Sequence, residues 1–101
     1  MLMKRESHIL RNKALKELQS IPGVGKCIAE DLWNMGFRSS ADLKGLDPDK
    51  MYLDFQKIQV GPVDRCMLYV FRCAVYYVSE KDHDPELLKW WNWKDRKLQE
   101  P

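Results

Sequence analysis

Apolar residues recur along this chain at helical spacing, and glycine and proline interrupt them at a few well-separated places. Ile9, Leu10, Ala14, Leu15 and Leu18 form a stripe that predicts a first helix, capped by Ser7 and running to about Gln19. Ile21-Pro22-Gly23-Val24-Gly25 breaks the pattern. A second helix is predicted over about Lys26 to Met35, with Ile28, Ala29, Leu32 and Trp33 on one face and Gly36 as its stop. Ser39 or Ser40 caps a short connector, Ala41 to Leu46. Asp47-Pro48 is an N-cap followed by proline at the first helical position, and it opens a helix to about Ile58. Val60-Gly61-Pro62 is a second sharp turn. The helix after it, about Val63 to Ser79, is apolar nearly all round, as a central buried helix should be. Asp84-Pro85 repeats the cap-plus-proline signal and opens a last helix to about Leu98, rich in tryptophan. No run alternates as a strand does, so the class is all-α.

Setting Gly25 on Gly61, an offset of 36, places Val24 on Val60 and Leu32 on Leu68, which relates the two glycine-centred turns. The organisation expected is one domain over residues 1–101. It holds a first helical unit at about 7–36, a connector at 39–46, a second unit at about 47–79, and a C-terminal helix at about 84–98.

Composition adds limits. The chain has 101 residues, 45% of them hydrophobic and 32% charged, which excludes collagen-like and low-complexity classes, and its eleven aromatics supply enough surface to bury that a folded domain is expected. No run approaches the roughly 20 apolar residues of a membrane span, and no apolar stretch follows Lys4-Arg5, so neither membrane nor secretion is expected. Three cysteines, an odd number in apolar surroundings, point to a reducing, cytoplasmic setting and to buried thiols. Residues 1–26 hold six basic and two acidic side chains, a net +4, whereas the other 75 hold 11 basic and 13 acidic, a net −2. A basic first quarter on a mildly acidic body suits an anionic partner, although a solvated helix face gives the same count.

The turn between the first two helices carries the chemistry. Two glycines two residues apart, just ahead of a helix, permit positive φ and expose consecutive N–H groups. Together with the free donors of the helix start, these form an anion-binding concavity at Gly23, Val24, Gly25 and Lys26, with the lysine as a mobile charge beside it. Ile21 and Val24 are placed to plug inward. A plain tight turn that needs glycine explains the same residues. A nucleotide-binding P-loop does not, because neither the Gly-Lys-Ser/Thr sequence nor a preceding strand is present.

Leu18-x-x-Ile21-Pro22-Gly23-Val24-Gly25-Lys26-x-x-Ala29-x-x-Leu32 closely resembles the helix-hairpin-helix motif of DNA-binding proteins. Over about residues 15–95 the chain also resembles the small bacterial "pathogenicity locus" family of helix-hairpin-helix proteins. That resemblance is carried by Asp47-Pro48…Met51-Tyr52, by Gly61…Asp64-Arg65-Cys66…Leu68-Tyr69-Val70-Phe71-Arg72, and by Asp84-Pro85…Leu88…Trp90-Trp91-x-Trp93-Lys94-Asp95. It implies a compact bundle of two hairpins joined by a connector, plus an extra C-terminal helix. It also implies a DNA phosphate held, without reading of sequence, by backbone N–H groups of Gly23, Val24, Gly25 and Lys26. In the second hairpin, around Gly61 and Arg65, Pro62 removes a donor and Gln59 replaces a glycine. A mainly structural role is expected there.

Other residues weigh less. On a continuous helix Leu87, Trp90, Trp91 and Lys94 share the face that seals onto the core, and Trp93 points away, as a partner contact or base-stacking group. The cysteines lack metal-ligand spacing, so no metal or cofactor is expected. Arg72 is expected to pair with a buried or half-buried carboxylate. Asp64 follows a hairpin as the catalytic Asp of some DNA glycosylases does, but no base-flipping pocket accompanies it, and no catalytic residue or small-molecule substrate is assigned. The leading expectation is a non-enzymatic, sequence-independent DNA-binding module. The alternative is a protein-interaction adaptor on the same scaffold.

Overall fold

The most apolar stretch of the chain forms a helix around which the rest is organised. In a computed structural model, which describes residues 4–97, the elements are α1 (Lys4–Leu18), α2 (Lys26–Asn34), α3 (Pro48–Ile58) and α4 (Cys66–Ser79). Three short 3₁₀ turns join them, at Ser40–Leu43, Pro85–Leu88 and Trp90–Trp93. The described residues are all helix, turn and loop, with no strand. Residues 1–3 and 98–101, including the expected helix end at Leu98, lie outside the description.

On α4 every residue from Leu68 to Val75 is buried, so all its faces are covered in mid-helix. It packs against α3, the connector turn and both C-terminal turns, while α1 packs on α2. Phe71 meets Phe55 of α3 edge-on at 5.9 Å, an arrangement that suits the ring quadrupoles. The core runs from Leu15 and Leu18 of α1, through Ala29, Leu32 and Leu43, to Met51, Phe55, Phe71 and Val75.

Local signals act as expected at several ends. Asp47 Oδ1 accepts from the Asp49 N–H at 3.0 Å and caps α3 ahead of Pro48. Gly36, at φ +104°, ends α2: its N–H donates to Trp33 O, and that of Phe37 donates to Leu32 O, both at 3.0 Å. Ser39 and Asp42 form a capping box, and the backbone N–H groups of Arg38 and Ser39 hold the Asp42 carboxyl below its ordinary pKa.

Four expectations are corrected. First, α1 already runs from Lys4, so Ser7 lies inside it rather than capping it. Ile9 is 60% exposed, because at 100° per residue it lies opposite the buried Ala14, Leu15 and Leu18; Leu10, one turn before Ala14, lies at the edge of that face and is 49% exposed. Second, the C-terminal segment is two 3₁₀ turns broken at Lys89 (φ −92°, ψ +112°), not one α-helix. The break resets the helical phase and brings Trp93 inside, only 2% exposed, where its Nε1 donates to Leu87 O at 2.8 Å. Third, of the three thiols only Cys73 is buried; Cys27 and Cys66 are exposed. Fourth, the offset of 36 does not relate the two turns. Val24 is buried and Val60 fully exposed, and the left-handed glycines are Gly23 (φ +84°) and Gly61 (φ +96°), which lie 38 apart.

Arg72 is the one buried charged side chain among the described residues, at 4% exposure. Its Nε donates to Asp49 Oδ1 at 3.2 Å and its Nη1 to Trp93 O at 2.9 Å, so it ties α4 to both α3 and the C-terminal segment. Arg72→Ala should therefore destabilise the fold by about 3 kcal/mol in chemical denaturation, through lost charged hydrogen bonds and packing. Asp49→Ala should cost less, about 1–2 kcal/mol, because the carbonyl of Trp93 keeps its donor. A thiol count with an aromatic disulfide at neutral pH should find two reactive cysteines in the native protein and a third only on unfolding. Burial pushes the Cys73 thiol up to about 11, and Cys66 should be the slower of the other two, since Asp64 beside it raises its pKa.

Candidate functional site: the α1–α2 turn

The chain leaves α1 at Leu18 and enters α2 at Lys26 through a turn anchored from below. Ile21 and Val24, 1% and 5% exposed, sit in the core, and the Val24 N–H donates to Ile21 O at 3.0 Å. Between these two anchors Gly23 takes φ +84°, a conformation that side chains with a Cβ rarely adopt. Gly25 behaves differently. It is the N-cap of α2 in ordinary extended backbone, φ −91° and ψ −171°, so the positive φ expected of this pair belongs to Gly23 alone.

Gly25 accepts the Ala29 N–H at 2.9 Å through its carbonyl and offers no side chain to cap the helix. Among the described residues, the N–H groups of Gly23, Gly25, Lys26, Cys27 and Ile28 therefore donate to no acceptor. Gly23, Gly25, Lys26 and Cys27 are exposed. The first turn of α2 has no acidic residue, so the positive end of its peptide dipoles is not offset there. Lys26 stands at that end without an ion pair among the described residues. Of the four residues singled out from the sequence, Gly23, Gly25 and Lys26 contribute free donors. The Val24 N–H does not, because it closes the turn, and Val24 serves as the plug beneath the site.

Sequence reasoning set Trp90 on the core, where it lies, but missed its contact with the turn. A Cβ built on Gly23 would lie 3.2 Å from Trp90 Cδ1, so the C-terminal segment packs directly on the turn. Trp90 touches both the main core and the smaller cluster around Trp93, and braces the turn from outside α1 and α2. The assumption of a continuous helix hid this contact. Trp93, expected at the surface, lies inside, and the exposed indole is Trp91 at 56%.

The second turn has a different chemistry. Asp64 Oδ1 accepts from the Cys66 N–H at 2.9 Å, which holds the Asp64 carboxyl below its ordinary pKa and fills the start of α4 with an anion. Gly61 and Arg65 are exposed, but a carboxylate stands where the first turn carries Lys26. No group of three His, Cys, Asp or Glu side chains among the described residues is arranged to hold a metal.

The two glycines should respond differently to the same change. Gly23→Ala should cost about 1–3 kcal/mol in thermal denaturation, from positive φ and the approach to Trp90. Gly25→Ala should fall within about 0.5 kcal/mol of the parent, since its φ is ordinary and a Cβ there meets nothing within 4 Å.

Comparison with known proteins gives one match. No curated protein and no solved structure matches the chain. The profile of the Pathogenicity locus family matches residues 11–99, a span that takes in the uncapped turn, the Asp64-capped turn and the Trp90 brace. With nearly its whole length matched, the chain belongs to the Pathogenicity locus family.

Proposed function

We propose that the α1–α2 turn is a helix-hairpin-helix phosphate clamp and that the protein is a non-enzymatic module binding the DNA backbone without reading sequence. The observation that carries this reading is the row of N–H groups at the exposed residues Gly23, Gly25, Lys26 and Cys27 that meet no acceptor among the described residues. A phosphate oxygen accepts from such donors, and the positive helix end and Lys26 add charge of the right sign. Lys13 and Lys16 on α1 are also exposed and without ion pairs among the described residues, which extends the favourable potential along that helix. The second turn, closed by Asp64, is structural in this reading. Contacts of this kind position a strand and carry no base information.

Labelled duplex DNA titrated across salt tests the proposal. The expected dissociation constant is about 10⁻⁴–10⁻⁶ M at physiological salt, weakening as salt rises. Lys26→Glu should weaken binding and flatten the salt slope by about one, with the melting temperature nearly unchanged. Gly25→Val should fold and yet lose binding, because the new side chain shields the N–H row. Absence of binding at low salt, or indifference to both variants, overturns the reading.

A protein-binding role is favoured by a different observation. A half-open groove of about 370 Å³ lies between the end of α2 and α3, floored by Met35, Phe37, Met51 and Ile58 and rimmed by Lys50 and Asp54. Under that reading Ile58→Asp would abolish capture of a protein partner, and Lys26→Glu would not.

A further inference from the structure

We infer that Trp91 is a stacking platform for an unpaired base, so that the preferred ligand is DNA with a single-stranded end or segment rather than blunt duplex. This rests on the phosphate-clamp reading of the α1–α2 turn and names its substrate class.

The three tryptophans of the C-terminal segment divide their roles. Trp93 is buried and hydrogen-bonded to Leu87 O, and Trp90 is half-buried against Gly23. Trp91 does neither: it is 56% exposed and its indole N–H donates to no acceptor among the described residues. The core does not need it. It is nevertheless firmly mounted. Its ring and that of Trp90 meet edge to face, with centroids 5.7 Å apart and planes at 87°, so that neighbour covers at most one face of the Trp91 ring. The backbone beneath is fixed by Asn92 Nδ2 donating to Glu86 O at 2.7 Å and by Lys89 Nζ on Glu86 Oε1 at 3.1 Å.

Position decides what such a ring is for. Trp90 touches Gly23 on one hand and Trp91 on the other, so a single indole separates the N–H row from the exposed ring. A strand whose phosphate rests on the turn passes Trp91 within a few nucleotides. Lys89 is paired with Glu86, but Lys94 directly after the tryptophans is exposed and without an ion pair among the described residues, which favours a polyanion over an apolar protein surface. An aromatic face beside a cationic track is how single strands are held without sequence preference, and a base stacked inside a duplex, covered on both faces by its neighbours, cannot offer a face to the ring.

Anisotropy titrations at fixed salt would compare a blunt duplex, the same duplex with a short overhang, and the single strand, for the parent, Trp91→Ala, Trp91→Phe and Lys26→Glu. The parent should bind the overhang and single strand about tenfold more tightly than blunt duplex, the order that one stacked base contributes. Trp91→Ala should erase that preference and leave blunt binding within about twofold; Trp91→Phe, which keeps an aromatic face, should retain most of it. Equal affinity for all three ligands in the parent, or a preference that survives Trp91→Ala, overturns the inference and leaves the clamp standing. Trp91→Ala weakening all three ligands equally, with an unchanged melting temperature, also overturns it, for Trp91 would then belong to the phosphate site. Binding that is absent, or indifferent to Lys26→Glu, overturns the clamp itself.

Discussion

The guanidinium of Arg72 is the constraint on which the other contacts depend. A buried cation is tolerated only where its donors are met, and here they reach across to the start of α3 and to the carbonyl of Trp93. That second bond fixes the C-terminal segment against α4. Trp93 is then held by its own N–H on Leu87 O, Trp90 is carried onto Gly23, and the turn between α1 and α2 is braced by residues from the far end of the chain. The shape of the N–H row is thus set by local turn chemistry and by a distant ion pair together.

Much of the architecture was legible because local signals and burial agree there. Asp47-Pro48 caps α3, Gly36 ends α2, and the all-round apolar run becomes the buried mid-section of α4. Asp84-Pro85 carries the same signal and opens only a 3₁₀ turn. In a continuous helix the carbonyl of Leu87 would accept from the N–H of Trp91. In the structure it accepts from Trp93 Nε1 at 2.8 Å, six residues on, and lies 3.5 Å from Cys73 Sγ on α4, partners that the cap-plus-proline signal does not announce. Tertiary contacts therefore win over the cap, and the exposures of Trp91 and Trp93 exchange as a result. Ile9 illustrates a lesser version: its apolar character counts it in the stripe of α1, although the helical angle sets it opposite Ala14, Leu15 and Leu18.

The candidate site was legible as a segment and not as a set of donors. The Gly-Val-Gly spacing located the turn and named its plug. Which amides stay open depended on details a sequence does not display: the Val24 N–H reaching back to Ile21 O, and Gly25 lying in extended backbone. The second turn shows how small the chemical difference is. One aspartate ahead of α4 satisfies its first free N–H and sets a carboxylate at the helix start, and two glycine-centred turns on one scaffold become one open and one closed.

The glycine at position 25 has a consequence separate from conformation. Its φ is ordinary and a Cβ there meets nothing within 4 Å, so neither strain nor crowding requires it. Serine, aspartate or asparagine at that place would cap α2 with its own side chain and steady the helix. A tethered cap of that kind is an intramolecular competitor, present at an effective concentration of order millimolar or above, which no weakly bound anion in solution could match. Glycine removes the competitor. Under the proposed phosphate clamp, glycine at position 25 leaves the helix start unoccupied, at the expense of a little helix stability, so that an outside oxygen can act as the cap.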